Sequence, residues 1–125
     1  MSDVSYGLFF IPFLSQPLSL PEVYDELVVQ ARTAQAEGWQ AVWLSEHHGG
    51  EFGDPIPSPA VVGAWLAAQT RTLRIGAAVV VLPLHDGLRV AEDFTTLDRH
   101  SPGAGRAGLG PGLHSLRVRL LWRGL

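Results

Sequence analysis

The chain contains no cysteine and no lysine, and it lacks any long uninterrupted apolar stretch. Without cysteine, neither a disulfide bond nor a thiolate metal site can form. The longest apolar candidate, Ile75 to Leu84, is much shorter than the roughly 20 residues that a membrane-spanning helix needs. No basic segment typical of a secretory signal opens the chain. The sequence therefore predicts a cytoplasmic protein without a membrane partner.

Acidic residues are also absent from the last 27 residues. Residues 1–98 hold all twelve acidic residues and four arginines, a net charge of −8, whereas residues 99–125 hold five arginines and no acid. A basic tail of this kind is able to bind nucleic acid or phosphate. However, the absence of lysine indicates a codon bias towards arginine, so no nucleic-acid partner is predicted.

Strand and helix patterns alternate along residues 1–98. Compact apolar runs predict buried strands at Tyr6–Phe13, Trp39–Leu44 and Leu73–Leu82. Helical periodicity and start signals predict helices from Leu20 to Glu37, from Ser58 to about Thr70, and from Gly87 to about Arg99. This spacing indicates an α/β protein with βαβ units and a parallel sheet. An open doubly wound sheet and a closed (βα)8 barrel both remain compatible with it.

Two longer blocks resemble a known family. Gly38 to Gly53 reads GWQAVWLSEHHGGEFG, and Thr70 to Asp98 reads TRTLRIGAAVVVLPLHDGLRVAEDFTTLD. The blocks and their spacing resemble bacterial luciferase and its luciferase-like monooxygenase relatives, over roughly Tyr6 to Asp98. The resemblance implies an incomplete (βα)8 TIM barrel of about three βα units. It also implies an enzyme that oxidises a small organic substrate with reduced FMN and molecular oxygen. The second hypothesis is a deazaflavin-dependent oxidoreductase of the same superfamily.

The resemblance also assigns site residues. His47, just beyond the second predicted strand, matches the family's catalytic histidine, and an imidazole with a pKa of about 6.5 suits a base or proton relay. Glu46 and His48 would orient His47 or shape the flavin pocket. Ala78 and Val79 match the position where relatives place a non-proline cis peptide bond against the flavin ring. The expected cofactor-binding residues are therefore Glu46, His48, Ala78 and Val79.

The same polar residues have simpler interpretations. Adjacent histidines in a loop are usually part of a polar surface, so the catalytic assignment depends on the resemblance. A metal site of His47, His48 and Glu51 would lack the fixed helical spacing of persuasive metal motifs, so no metal is predicted. His85 and Asp86 follow the third predicted strand, so they lie at the same end of the predicted barrel as His47. An exposed polar loop is the simpler interpretation of these two residues.

Residues 99–125 depart from the family pattern. They contain a GxGxxG match at Gly103, Gly105 and Gly108, but this match follows Ser101 and Pro102 rather than a strand, so chance explains it better. One synonymous back-translation of residues 112–125 gives family-like residues when it is read in a shifted frame. We therefore predict a barrel portion at residues 1–98 and an irregular, non-family tail at 99–125 that is translated out of frame.

A truncated barrel has physical consequences. Three βα units leave two open sheet edges and lack the phosphate-binding loops that follow strands seven and eight. The chain alone is therefore expected to bind FMN weakly or not at all, and to form a homo-oligomer or aggregate through its edges. A catalytically inactive fragment that only associates with other chains is the remaining alternative.

Overall fold

Strands and helices alternate along the protein as predicted. The computed structural model describes residues 4–11, 19–48, 55–100 and 106–110. In chain order the elements are β1 (Gly7–Phe10), α1 (Leu20–Ala36), β2 (Ala41–Leu44), α2 (Pro59–Gln69), β3 (Arg74–Val81), α3 (Gly87–His100) and β4 (Arg106–Gly110). A short 3-10 helix at Leu82–Leu84 connects β3 to α3. None of the helices in the described ranges is both long and apolar enough to cross a bilayer.

The four strands form one parallel sheet in the order β1-β2-β3-β4. Leu44 at the end of β2 lies opposite Phe10 of β1 and Ala77 of β3. Because each strand pairs with the next one along the chain, the described sheet contains no reversal of strand order. A doubly wound sheet requires such a reversal, whereas consecutive strands of a (βα)8 barrel do not.

The core lies between this sheet and the helices. Residues of α1 at helical spacing are buried against it: Val23, Leu27, Ala31 and Ala34. In α2, a side chain at Gly63 would meet Ile75 and Leu97, because a Cβ atom there would lie 3.3 Å from both Ile75 Cγ2 and Leu97 Cδ2. The glycine therefore lets α2 pack closely against β3 and α3.

Local signals set both ends of α1. The N–H and the hydroxyl of Ser19 each donate to Glu22 Oε2 at 2.7 Å, which forms a capping interaction at the start of the helix. These hydrogen bonds, the one from the Ser19 hydroxyl first, lower the pKa of the Glu22 carboxyl below its usual value. At the other end, Glu37 caps the helix and Gly38 follows with a φ of 78°, a conformation that glycine adopts without steric cost.

The structure adds a strand within the segment that was expected to be irregular. β4 pairs in parallel with β3, and Gly110 lies opposite Val81. A Cβ atom at Gly110 would lie 2.7 Å from Val79 Cγ2, and one at Gly108 would lie 3.3 Å from Val79 Cγ1. Gly108 and Gly110 therefore allow this backbone to approach β3 closely.

Candidate functional site

The carboxyl ends of β2 and β3 lie side by side, and Glu46 joins them. Glu46 follows β2 by two residues, and its side chain is 0% exposed. Its Oε2 atom accepts the backbone N–H of Val81, the last residue of β3, at 2.9 Å. A buried carboxylate thus connects the loop after β2 to the end of the neighbouring strand.

The other oxygen of Glu46 contacts two imidazoles. Oε1 lies 2.6 Å from Nε2 of His48 and 2.8 Å from Nε2 of His85, and both histidine side chains are 30% exposed. Both Nε2 atoms lie within hydrogen-bonding distance of Oε1, which has the lone pairs to accept from each of them. The two imidazoles therefore satisfy one oxygen of a carboxylate that has no access to water.

Sequence reasoning left His85 outside the site. His85 is 39 residues from Glu46, and only the parallel pairing of β2 and β3 brings the two together. The proximity of His85 to Glu46 could have been predicted, because loops that follow neighbouring parallel strands meet at the same edge of a sheet. Asp86 is different: its Oδ1 atom accepts the N–H groups of Leu88 and Arg89, so it caps α3.

His47 lies in the same loop, between Glu46 and His48, and is half-buried. Its backbone N–H donates to the carbonyl of Ile56 at 3.4 Å. The neighbouring carbonyl of Pro55 accepts the hydroxyl of Tyr24 at 2.6 Å, so α1 and residues 55–56 together support the loop after β2. The structure places His47 at the carboxyl end of a parallel strand, and its catalytic role stays a prediction. The alternative metal set includes Glu51, which lies outside the described residues.

Ala78 and Val79 lie in β3, directly after the residue that pairs with Leu44. The peptide bond between them is cis, as the resemblance led us to expect. Ala78 is half-buried, and Val79 is 38% exposed. Small apolar side chains therefore remain partly open to solvent near the carboxyl end of β3, and their contact with a flavin stays a prediction.

Fold and site together define an α/β protein of the parallel-barrel type, with a carboxylate–histidine cluster at the carboxyl ends of two strands. The family model described as luciferase-like monooxygenase matches residues 4–120. The chain belongs to the luciferase-like monooxygenase family. The matched residues include 99–120, and the out-of-frame origin of the segment 99–125 stays a prediction.

Curated relatives agree with this assignment. The alkanal monooxygenase alpha chain of Photorhabdus laumondii subsp. laumondii is 35% identical over 117 residues, which are 94% of this chain and 32% of the relative. A protein of Escherichia coli strain K12 named luciferase-like monooxygenase is 34% identical over 107 residues, which are 86% of this chain and 32% of the relative. The chain thus spans about a third of the length of these curated relatives.

Solved structures share the fold. One is the oxygenating constituent of 3,6-diketocamphane monooxygenase of Pseudomonas putida, a type II Baeyer–Villiger monooxygenase in complex with FMN. It aligns with a TM-score of 0.83 and 22% identity over 95% of this chain and 32% of its own. Monooxygenase RslO1 of Streptomyces bottropensis aligns with a TM-score of 0.86 and 24% identity, over 95% and 36% of the two chains. The predicted α/β barrel fold is confirmed for the aligned part.

Proposed function

We propose that the protein acts as a flavin-dependent monooxygenase that uses reduced FMN and molecular oxygen to oxidise a small organic substrate. The observation that carries the proposal is the buried Glu46 carboxylate, which holds two imidazoles at the carboxyl ends of β2 and β3. Barrel enzymes place their chemistry at this end of the strands. Membership of a family of monooxygenases supplies the type of reaction.

The residues of β3 fit a flavin ring. Reduced FMN, when bound, supplies the electrons that activate oxygen. A flat aromatic ring needs an apolar surface that it can approach closely, and Ala78 and Val79 present small, partly exposed side chains near the strand end. In the proposed site these two residues face the ring, and Glu46 and His48 border it.

His47 supplies the proton transfer in the proposed reaction. An imidazole has a reference pKa of about 6.5, so it can gain and lose a proton near neutral pH. Glu46 holds His48 through a 2.6 Å hydrogen bond, and the N–H of His47 is bonded to Ile56. Because the residues on both sides of His47 are held, its ring has a restricted position from which to act as a base or proton relay.

The test is oxygen transfer with labelled oxygen. The protein is supplied with FMN, a separate flavin reductase, ¹⁸O₂, and a panel of aliphatic aldehydes and cyclic ketones. We expect products that contain one labelled oxygen atom, and a loss of at least about 100-fold in rate for His47→Gln. Glu92→Gln, a change on the exposed side of α3, serves as the matched control and should keep the wild-type rate.

Two results would contradict the proposal. One is the absence of labelled product from every substrate at FMN concentrations that do change the absorption spectrum of FMN on addition of the protein, because weak FMN binding by the chain alone is already the expectation from the sequence. The other is hydride transfer from a reduced deazaflavin without oxygen consumption, which would establish the deazaflavin-dependent alternative instead.

A further inference from the structure

The cluster around Glu46 contains three atoms of the kinds that bind metal ions. Oε1 of Glu46 and the Nε2 atoms of His48 and His85 all lie within 4.8 Å of one another. Two imidazole nitrogens and one carboxylate oxygen are the ligands of many zinc sites with three protein ligands, in which water occupies the fourth position. This set differs from the one considered in the sequence analysis, because Glu46 and His85 take the places of Glu51 and His47.

The distances leave room for an ion after a small movement. Zinc–ligand bonds of about 2.0–2.2 Å place neighbouring ligand atoms roughly 3.0–3.5 Å apart. The present distances to Oε1 are 2.6 Å for His48 and 2.8 Å for His85, so each imidazole has to withdraw by less than about 1 Å. Both side chains are 30% exposed, so neither is enclosed by the core.

The surrounding structure orients the ligands. Glu46 Oε2 is held by the N–H of Val81, which directs Oε1 at the imidazoles as outer hydrogen bonds do in metal sites. The backbone N–H of His85 donates to the carbonyl of Leu82 at 3.0 Å, and Asp86 caps the helix that follows. The side chain of Glu46 and the backbone that carries His85 are therefore both held by hydrogen bonds.

The charges also favour a cation. The side chain of Glu46 is fully buried, and its ion-pair partners in the described part of the chain are the two imidazoles. Arg89 pairs instead with Glu92 and Asp93 on the surface of α3. A buried carboxylate is costly unless a positive charge compensates it, and a divalent ion supplies that charge directly.

We propose that Glu46, His48 and His85 bind one divalent transition-metal ion, of which Zn²⁺ suits the donor set. The imidazoles bind the ion through Nε2, so coordinate bonds to the ion replace their present contacts with Oε1. The bound ion links the loop after β2 to the segment after β3 by coordinate bonds. The proposal goes beyond the oxygenase function, and it requires neither flavin nor substrate.

The experiment is calorimetric titration of the chelator-treated protein with ZnCl₂ in the absence of flavin. We expect one ion per chain with a dissociation constant of about 10 μM or lower. His48→Gln and His85→Gln should each weaken binding at least 10-fold, and the ¹⁵N NMR signals of Nε2 in both imidazoles should shift when the ion binds.

Matched variants distinguish this site from general binding to histidines. His47→Gln removes a neighbouring imidazole outside the cluster, and Asp86→Asn removes a neighbouring charge but keeps a capping residue, so both should bind Zn²⁺ as the wild type does. Equal weakening by His47→Gln and His85→Gln would overturn the proposal. So would a wild-type dissociation constant above about 100 μM. The oxygen-transfer assay is independent, so failure of either proposal leaves the other to be judged separately.

Discussion

Glu46 and Val81 are 35 residues apart in the chain, yet the side chain of one accepts the backbone N–H of the other at 2.9 Å. The contact fixes the loop after β2 to the last residue of β3, at the edge where the candidate site lies. Because the donor is a backbone group of a strand end, the position of Glu46 follows directly from the register of β2 and β3. The site is therefore built on the sheet rather than on loops alone.

Glu46→Gln should destabilise the fold. The glutamine amide replaces one of the two acceptor oxygens by a donor, so either the Val81 N–H or the pair of imidazoles loses its acceptor inside a buried site. A buried group left without its partner costs roughly 1–3 kcal/mol of unfolding free energy. Urea denaturation followed by circular dichroism measures the change.

The control for this variant is Glu92→Gln. It is the same substitution in a side chain that is 52% exposed and pairs with Arg89 at the surface. Exposed ion pairs contribute little, so its unfolding free energy should stay within about 0.5 kcal/mol of wild type. Equal losses in the two variants would contradict a special role for Glu46 in stability.

Gly110→Ala should destabilise the pairing of β3 with β4. The added Cβ atom would lie 2.7 Å from Val79 Cγ2, a distance at which either the strand or the valine has to move. Overpacking of this kind costs roughly 1–3 kcal/mol. Denaturation in urea gives the loss, and hydrogen exchange of the β4 amides shows whether the strand separates.

Two further variants identify the cause. Gly108→Ala places its Cβ atom at 3.3 Å from Val79 Cγ1, so its effect should be clearly smaller than that of Gly110→Ala. Val79→Ala removes the atoms that clash and should recover most of the loss at Gly110, which a double-mutant cycle would record as a favourable coupling. Simple additivity of the two changes would show that the valine is not responsible.

Much of the framework could be predicted from local sequence. Ser19 and Glu22 mark the start of α1, and Gly38 marks its end, because the signals lie within the helix ends themselves. The run from Leu73 to Leu82 predicts β3, because a parallel strand that is covered on both faces is typically apolar throughout. These elements depend on neighbouring residues in the chain, so one sequence is sufficient to find them.

Other features depend on contacts between distant segments. β4 contains two glycines and little periodicity, so its own residues do not predict the parallel pairing with β3 that the structure shows. His85 reads as a surface loop residue until β3 is placed beside β2 and brings it to Glu46. Its membership of the site could have been found by projecting the loops onto one edge of the sheet.

The capping carboxyl of Glu22 should make α1 sensitive to acid. Its pKa is lowered in the folded protein by the Ser19 hydroxyl and then by the Ser19 N–H, so the ionised form stabilises the folded state. A lowered folded pKa adds stability above the unfolded pKa, and this stability is lost as the pH falls through the folded value. Glu22→Gln should therefore unfold more easily than wild type at neutral pH, and the two should converge in acid.

Thermal unfolding followed by circular dichroism between about pH 7 and about pH 3 tests this convergence. Ser19→Ala removes the hydroxyl, the larger of the two causes of the lowered pKa. At neutral pH, the difference in unfolding temperature between Ser19→Ala and the Ser19→Ala/Glu22→Gln double variant should therefore be smaller than the difference between wild type and Glu22→Gln. A gap between wild type and Glu22→Gln that stays constant with pH would contradict the assignment.

Tyr24→Phe should loosen the loop that carries His47. The Tyr24 hydroxyl donates to the carbonyl of Pro55 at 2.6 Å, and the next carbonyl, that of Ile56, accepts the His47 N–H. Phenylalanine keeps the ring that contacts Trp65 edge-on at 5.8 Å, so the change removes the hydrogen bond and little else. The expected loss is about 0.5–1.5 kcal/mol in unfolding free energy. Hydrogen exchange at the His47 amide should accelerate, while that of buried β3 amides such as Ile75 follows the global change alone. Unchanged exchange at His47 would show that residues 55–56 hold the loop without help from α1.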